Sequence, residues 1–263
     1  MDFTILICVY NKDDDILFQK AVKSILENSL LPKEIVLIID GKINTQLMKT
    51  INLFKKNNLF KTYQLNQNVG LAKALNFGLK KIKTPIVIRA DADDINVSNR
   101  FKKLIDKFKT GNFDVVGSYI TEIDMQKNIK ITKKVPLENS QIIKMSKIRN
   151  PVNHMSVAFK TKSVIDLGGY PEINLKEDYA LWLKMIYNNC TFVNIPESLV
   201  LANAGESMVK RRTSIKSLTG ELSLFIFRKN KTFTDLIVFL FRIIFHFIPF
   251  SLRKNIFKNF LRR

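Results

Sequence analysis

The first 120 residues alternate between short apolar runs and amphipathic segments, and this alternation limits the possible folds more than any other feature. Residues 3–9, 34–39 and 86–88 are apolar runs rich in β-branched side chains, which is typical of buried strands. The segments between these runs carry apolar residues at helical spacing. Strands that alternate with helices form βαβ units, so the sequence predicts a mixed, mainly parallel α/β sheet flanked by helices.

Three carboxylates follow the third of these runs, in the segment Arg89-Ala90-Asp91-Ala92-Asp93-Asp94. Like charges this close repel each other, so the cluster calls for a compensating cation. Divalent ions such as Mg²⁺ and Mn²⁺ bind carboxylate and phosphate oxygens, and ligands of open α/β sheets lie beyond the carboxyl ends of the strands. The segment therefore predicts a metal–diphosphate site. An acidic loop that caps the next helix is the alternative.

The regular alternation stops after residue 120, and the composition changes again after residue 212. Residues 121–212 mix strands and helices, which predicts a second half of the same domain. Residues 213–263 are basic and strongly hydrophobic, so we expect a helical tail there.

The tail also carries much of the positive charge of the chain. The formal net charge is +20, and residues 201–263 hold 13 Lys or Arg against 3 Asp or Glu. This asymmetry predicts an anionic partner, either a membrane surface or a nucleic acid. The aromatic residues of the tail are phenylalanines within aliphatic runs, which favours lipid over stacking on bases. We therefore expect an anionic membrane surface and no nucleic acid.

Residues 233–250 are too interrupted to predict a membrane-spanning helix. Such a helix needs about 20 apolar residues, whereas Arg242 and His246 break this run and Pro249 ends it. Apolar and cationic residues in one segment instead predict a helix that lies in the membrane interface. A helix packed on the domain or used in a dimer is the alternative.

The cysteines and the N-terminus bear on the compartment. Cys8 and Cys190 lie in apolar, strand-like surroundings, which predicts buried free thiols in a reducing environment. The chain enters its first strand directly after Met1-Asp2, so no signal peptide is expected.

Short motifs occur in a fixed order over residues 3–212, and together they resemble a known family. They are Val9-Tyr10-Asn11, Asp40, Asn68 to Gly78, Asp91 to Asp94 with Arg100, Gly168-Gly169-Tyr170 and Glu177-Asp178. The order resembles family 2 glycosyltransferases of the GT-A (Rossmann-like) fold. It is similar in particular to bacterial enzymes that build capsule, exopolysaccharide and O-antigen, such as the amylovoran type.

The resemblance implies an activity and a location. Residues 1–120 would bind a nucleotide-sugar, with UDP as the carrier, and residues 121–212 would bind a saccharide acceptor. The acceptor is expected to be lipid-linked and to be met at a membrane. The enzyme would be an inverting, metal-dependent hexosyltransferase of surface polysaccharide synthesis. It would act peripherally at the cytoplasmic face of the bacterial inner membrane.

The resemblance also assigns the donor site. Asp40 would accept the imide N–H of uracil, although the usual Asp-Asp-Gly-Ser motif is here Ile39-Asp40-Gly41-Lys42. Asp93 would ligate Mn²⁺ or Mg²⁺, with Asp91 at the ribose or the metal. Lys73 would reach the nucleotide, and the alternative is a lysine on the solvated face of a helix. The full set of donor-binding residues is Val9, Tyr10, Asn11, Asp40, Asn68, Gly70, Lys73, Asp91, Ala92 and Asp93.

On the acceptor side, the resemblance makes Asp178 the general base that deprotonates the acceptor hydroxyl. Acids at a helix N-terminus are also favourable without any function. Further residues at the acceptor or diphosphate would be His154, Glu177, Trp182, Arg211 and Arg212. For His154 the alternative is a satisfied core residue, and for the two arginines it is a basic cluster that faces the membrane.

Three other functions compete with this interpretation. A sugar nucleotidyltransferase would need a glycine-rich phosphate loop near the N-terminus, which residues 9–13 lack. A basic nucleic-acid-binding protein without enzyme activity is permitted by the charge alone. A hydrolase of the sugar nucleotide would use water in place of the acceptor. The sequence does not distinguish among galactose, glucose and their N-acetylamino forms as the donor sugar.

Overall fold

The computed structural model describes residues 1–124, 129–204 and 215–247. Its strands are β1 (Phe3–Val9), β2 (Glu34–Ile39), β3 (Phe60–Gln64), β4 (Ile86–Arg89), β5 (Ile95–Asn96), β6 (Val115–Asp124), β7 (Ile129–Lys133), β8 (Ala158–Lys160) and β9 (Phe192–Asn203). Its α-helices are α1 (Asp15–Leu26), α2 (Thr45–Phe54), α3 (Leu71–Leu79), α4 (Arg100–Thr110), α5 (Asn139–Ser146), α6 (Thr161–Ile165), α7 (Glu177–Ile186), α8 (Ile215–Phe227) and α9 (Phe233–Phe247).

All the described strands belong to one mixed sheet. The strand order is β3-β2-β1-β4-β8-β6-β9-β5, and β7 pairs with β6. The first four strands are parallel, β8 is antiparallel to both of its neighbours, and β6 and β9 form a further parallel pair. The predicted mixed α/β sheet flanked by helices is therefore confirmed.

Helices cover both faces of the sheet, which explains why the strands are continuously apolar rather than alternating. Ile5 and Ile7 of β1 pack with α1, α2 and α4 on one face. Leu6, from the same strand, packs with α3, α6 and α7 on the other. Two cores therefore hold the sheet, and only the loops at its ends remain for a ligand.

The sequence missed some local structure. Residues 95–96 form β5, whose partners Val200 and Leu201 lie far along the chain. β8 begins only at Ala158, because a 3₁₀ turn occupies His154–Ser156 directly before it. Residues 192–203 form one long strand, β9, with a register shift opposite Ser118 to Ile120.

The helices α8 and α9 pack on the domain through one face. Leu224 of α8 is buried against Tyr179 and Leu183 of α7. The rings of Phe225 and Phe239 stack at 4.4 Å and join the two helices. The packed alternative therefore holds for the inner face of this pair. Within the described ranges, no helix has the length and apolar character needed to cross a membrane.

One side chain joins the two halves of the domain. Asn76 of α3 donates to the carbonyl of Tyr170 at 2.9 Å and accepts from its backbone N–H at 2.7 Å. A Cβ at Gly169 would collide with the Asn76 side-chain oxygen, and Gly169 has φ +75, so only glycine suits this position. Asn76 thus fixes the chain that leads toward α7.

We expect Asn76→Ala to lower the free energy of unfolding by about 2–3 kcal/mol, since it leaves both backbone groups of buried Tyr170 without this partner. Urea unfolding followed by circular dichroism measures the loss. Asn52→Ala, at an exposed position of α2, is the control and should change the value by less than about 0.5 kcal/mol. Equal losses in both variants would contradict the joining role.

Candidate active site

The donor-side motifs meet at one edge of the sheet. Tyr10, Asp40 and Asp91 each follow the carboxyl end of a parallel strand, and those strands, β1, β2 and β4, are neighbours. Burial raises the pKa of Cys8 at the end of β1, and the carboxylates of Asp40 and Asp91 raise it further. Both cysteines are free thiols, as expected, but they are half-buried rather than fully buried.

Three acids converge after β4. Asp91, Asp93 and Asp94 each offer a carboxylate oxygen within 4.8 Å of the others. One oxygen of buried Asp94 accepts from the backbone N–H of Asn203 at 2.9 Å, whereas Oδ2 is buried with no hydrogen-bond partner in the described part of the chain. A hard oxygen donor set with an unsatisfied buried oxygen suits a divalent cation. These residues therefore fit the metal that the sequence predicts.

Arg89 partly neutralises this cluster. Its guanidinium is only 4% exposed and forms an ion pair with Asp91. Burial lowers the pKa of Arg89, but the charge and hydrogen bond of Asp91, together with Tyr170 and Asp94, raise it by more in sum, so the group stays charged. Arg100 is fully buried and donates to the Arg89 carbonyl at 2.7 Å and to the Asn96 side chain. Arg100 therefore fixes the backbone from which the acids project.

The carboxylate of Asp40 forms hydrogen bonds within the protein that the sequence does not predict. Its buried carboxylate accepts from the backbone N–H groups of Val69 at 2.7 Å and Gly70 at 3.0 Å. The Asn68 side chain donates to its carbonyl at 3.3 Å. Asp40 thus ties the end of β2 to the start of α3, and its contact with a base stays a prediction.

Lys73 is exposed on α3 and forms an ion pair with Glu172 at 3.3 Å. Both side chains are more than half exposed, so the pair contributes little to stability. Lys73 remains free to turn toward a ligand, and its donor role stays a prediction.

The acceptor-side acids begin α7. Asp178 is half-buried, and its Oδ2 accepts from the Asn150 side chain at 2.7 Å. Burial and then the Asp178 charge raise the pKa of its neighbour Glu177 to about 7. An oriented carboxylate is suited to accept a proton from a hydroxyl that lies within hydrogen-bonding distance.

His154 and Tyr170 lie between the two groups of acids. His154 Nε2 is 3.0 Å from the Tyr170 hydroxyl. Burial lowers the pKa of His154, and the charge of Arg89 lowers it further. Burial raises the pKa of Tyr170, while the charge of Arg89 lowers it and that of Asp178 raises it. Tyr170 therefore lies within electrostatic reach of both sides.

The structure corrects one assignment. Trp182 is fully buried, and its ring packs edge-on against His154 and Phe192. Trp182 offers no surface to a saccharide, because the helical spacing that brings it near Asp178 turns it into the core. The predicted residues Arg211 and Arg212 lie outside the described residues.

Two contributing residues were not identified from sequence. Asn150 begins the segment 150–156 that contains His154, but only the fold brings it to Asp178. Asn203, at the end of β9, reaches Asp94 and lies 3.5 Å from Asp93. No local signal marks Asn203, since its partners are more than 100 positions away.

Comparison with known proteins agrees with this geometry. Residues 4–166 match the family model described as glycosyl transferase family 2. The chain therefore belongs to glycosyltransferase family 2 and is a glycosyltransferase.

Two curated relatives are bacterial enzymes. The chain is 38% identical to a UDP-Gal:α-D-GlcNAc-diphosphoundecaprenol β-1,3-galactosyltransferase of Escherichia coli, over 99% of this chain and 97% of the relative. It is 32% identical to the amylovoran biosynthesis glycosyltransferase AmsE of Erwinia amylovora, over 85% and 84%. The predicted resemblance to enzymes of surface polysaccharide synthesis is confirmed.

A solved structure shows the same fold. The structure of TarS 1–349 from S. aureus in complex with UDP-GlcNAc is similar at a TM-score of 0.68, with 18% identity, over 98% of this chain and 75% of that one. The GT-A fold expected from the sequence is thereby confirmed.

The buried imidazole predicts a pH dependence of stability. Burial, followed by Arg89, holds the pKa of His154 well below its usual 6.5. A histidine with a lowered folded-state pKa stabilises the protein above the unfolded pKa, and this contribution is lost as the pH falls. We expect the contribution of His154 to the free energy of unfolding to fall below pH 6.5, by up to about 1.4 kcal/mol per pH unit. Glu177, whose pKa is raised to about 7, contributes in the opposite direction over the same pH range, so the His154 term is measured by difference from a variant.

Urea unfolding at pH 6.5 and 5.5 tests this expectation. Relative to the wild type, His154→Gln should raise the free energy of unfolding at pH 5.5 compared with that at pH 6.5. His246→Gln, which removes the other histidine of the chain, should leave the wild-type difference between the two pH values unchanged. An unchanged pH difference in His154→Gln would contradict it.

Proposed function

We propose that this glycosyltransferase transfers galactose from UDP-galactose to a hydroxyl of a GlcNAc residue carried on a lipid diphosphate, with inversion at the sugar. The convergence of Asp91, Asp93 and Asp94 beyond β4 carries the proposal, because it provides a site for a diphosphate and its cation. The near full-length similarity to the Escherichia coli galactosyltransferase supports this donor and acceptor.

On the donor side, the loops after β1, β2 and β4 hold the nucleotide. Asp40 keeps the loop at Val69 and Gly70 in place through two backbone hydrogen bonds. Asp93 and Asp91 would hold Mn²⁺ or Mg²⁺, with Asp94 as a further oxygen donor. When bound, the ion stabilises the negative charge that develops on the departing UDP.

On the acceptor side, Asp178 is the general base. Its carboxylate takes the proton of the acceptor hydroxyl while that oxygen bonds to the anomeric carbon and the bond to the phosphate oxygen breaks. Asn150 orients the carboxylate by donating to Oδ2. One base and in-line attack suffice for inversion, since no second carboxylate is required as a nucleophile.

Calorimetric titration with UDP, with and without Mn²⁺, tests the donor site. We expect metal-dependent binding that Asp93→Ala abolishes, because it removes a ligand of the ion. Asp166→Ala, at an exposed acid in an i,i+4 ion pair, is the control and should bind as the wild type does. Equal binding by Asp93→Ala with Mn²⁺ would exclude this site for the metal.

A transfer assay with UDP-galactose and an α-GlcNAc-diphospholipid tests the base. Asp178→Asn should retain UDP binding and lose transfer by about 10²–10⁴-fold, the usual contribution of a general base. Transfer at the wild-type rate by this variant would rule out Asp178.

We further propose that the enzyme docks peripherally on an anionic membrane through the outer face of α8 and α9, on the cytoplasmic side. This face carries large exposed apolar side chains, and residues 201–263 have an excess of ten positive charges. Apolar side chains combined with excess positive charge suit an interfacial helix. The outer face comprises Leu222, Ile226, Phe233, Leu236, Ile237, Leu240, Phe241 and Ile244.

Co-sedimentation with vesicles of phosphatidylglycerol and phosphatidylethanolamine tests the docking. The double variant Ile237→Glu/Leu240→Glu should reduce the bound fraction severalfold, because it places charge on a face that would enter the interface. Leu53→Glu, at an exposed apolar residue of α2, is the control and should bind as the wild type does. Undiminished binding by the double variant would contradict docking through this face.

A further inference from the structure

Arg228, the residue directly after α8, reaches from the tail into the acceptor half. Its side chain is only 7% exposed and donates to the Ser146 carbonyl at 3.2 Å and the Lys147 carbonyl at 3.1 Å. It also donates to the Tyr179 hydroxyl at 2.7 Å and pairs with Asp235 of α9 at 2.7 Å. A single buried guanidinium thus joins α9, the end of α5 and the first turn of α7.

Arg242 and Glu221 make a second set of contacts between the tail and the acceptor half. Arg242 of α9 donates to the Ile148 carbonyl at 2.6 Å and to Glu221 of α8 at 2.9 Å. Glu221 is 6% exposed and pairs with Lys176 at 2.7 Å. Lys176 is the N-cap residue of α7, directly before Glu177 and Asp178.

Both sets of contacts reach residues that lie next to Asp178 or that lead to its hydrogen-bond partner. The carbonyls held by Arg228 and Arg242 belong to residues 146–148, and this segment leads to Asn150, the hydrogen-bond partner of Asp178. The ring of Tyr179, the next residue after Asp178, lies between the two guanidinium groups at 5.4 and 5.5 Å. The tail therefore holds both the helix of Asp178 and the segment that orients its carboxylate.

The chain that enters α7 is also shaped by the tail. A Cβ at Gly220 of α8 would collide with the carbonyl oxygen of Asn174, so α8 lies directly against this chain. The next residue, Leu175, has φ +57, which a leucine rarely adopts unless its surroundings impose it. The contact with α8 is one such constraint.

Burying so many charges is not the simplest way to attach two helices. Buried ion pairs often stabilise less than apolar residues of similar volume, but breaking one by removing a partner is costly. Their hydrogen-bond geometry does define one relative position of the partners, which apolar packing defines less sharply. This favours a role in positioning.

We propose that Arg228, Arg242 and Glu221 are positioning residues for Asp178, so that the base is correctly oriented only when α8 and α9 are docked on α7. The proposal rests on the function proposed above. It also makes the helices that carry the membrane-docking face the same helices that hold the base.

Steady-state kinetics with UDP-galactose and an α-GlcNAc-diphospholipid test the proposal. Arg228→Gln should lower kcat by about tenfold to a hundredfold, as expected for a misplaced catalytic group, while the Kd for UDP with Mn²⁺ stays unchanged. Lys216→Gln removes the same charge from an exposed position of α8 and should leave kcat unchanged. Arg228→Lys should not restore kcat, because an ammonium cannot reproduce these hydrogen bonds.

Two kinetic outcomes would overturn the proposal. One is an unchanged kcat in Arg228→Gln. The other is that Arg228→Gln lowers kcat by the same factor in the Asp178→Asn background as in the wild type, because a positioning residue has nothing left to position once the base is gone. Glu221→Gln, a milder change, provides the same comparison if Arg228→Gln does not fold.

Fluorescence separates this proposal from the proposed function. Trp182 is the only tryptophan and is buried on α7, one turn after Asp178. Arg228→Gln should shift its emission or raise its quenching by acrylamide, and Lys216→Gln should not. A wild type without transfer would reject the proposed function alone, whereas unchanged Trp182 fluorescence in Arg228→Gln would reject the positioning role whatever the substrate.

Discussion

Arg89 ends β4 as a buried cation, beside three carboxylates that would otherwise repel one another. Its charge influences groups well beyond its ion pair with Asp91, since the pKa values of Cys8, His154 and Tyr170 all respond to it. Arg100 donates to the backbone carbonyl of Arg89 and so fixes the chain that carries this guanidinium. The convergence of three carboxyl groups beside it is what suits the edge to a divalent cation and a diphosphate.

The acceptor side depends on contacts between distant parts of the chain. Asn76 holds Tyr170, and Asn150 holds Asp178. The α8–α9 pair in turn contacts the segment that leads to Asn150 and the helix that carries Asp178. Each link is a directional hydrogen bond or ion pair rather than general apolar packing. A base must lie within about 3 Å of the proton that it takes, so directional contacts are suited to this task. Two packed cores then keep these contacts in register.

Local patterns predicted the elements of the first half well. β1 and β2 have the expected bounds, and α1, α2 and α3 differ by a few residues at their ends, because each is coded by a continuous apolar run or by helical spacing. Prediction was poorer where pairing decides the structure. Residues 95–96 are too short to signal a strand and become one only by pairing with β9. Trp182 was assigned to the acceptor from the resemblance, whereas its position on α7 turns it into the core.

The sequence by itself determined the fold class, the family and the acids that carry the chemistry, since these depend on periodicity and on short motifs in order. Tertiary structure alone decided the partners of those acids. Asn150, Asn203 and Arg228 approach Asp178, Asp94 and Tyr179 from positions 28 to 109 residues away. A sequence records which donors and acceptors exist, but a hydrogen bond forms only within about 3 Å, and that distance is set by the folded chain.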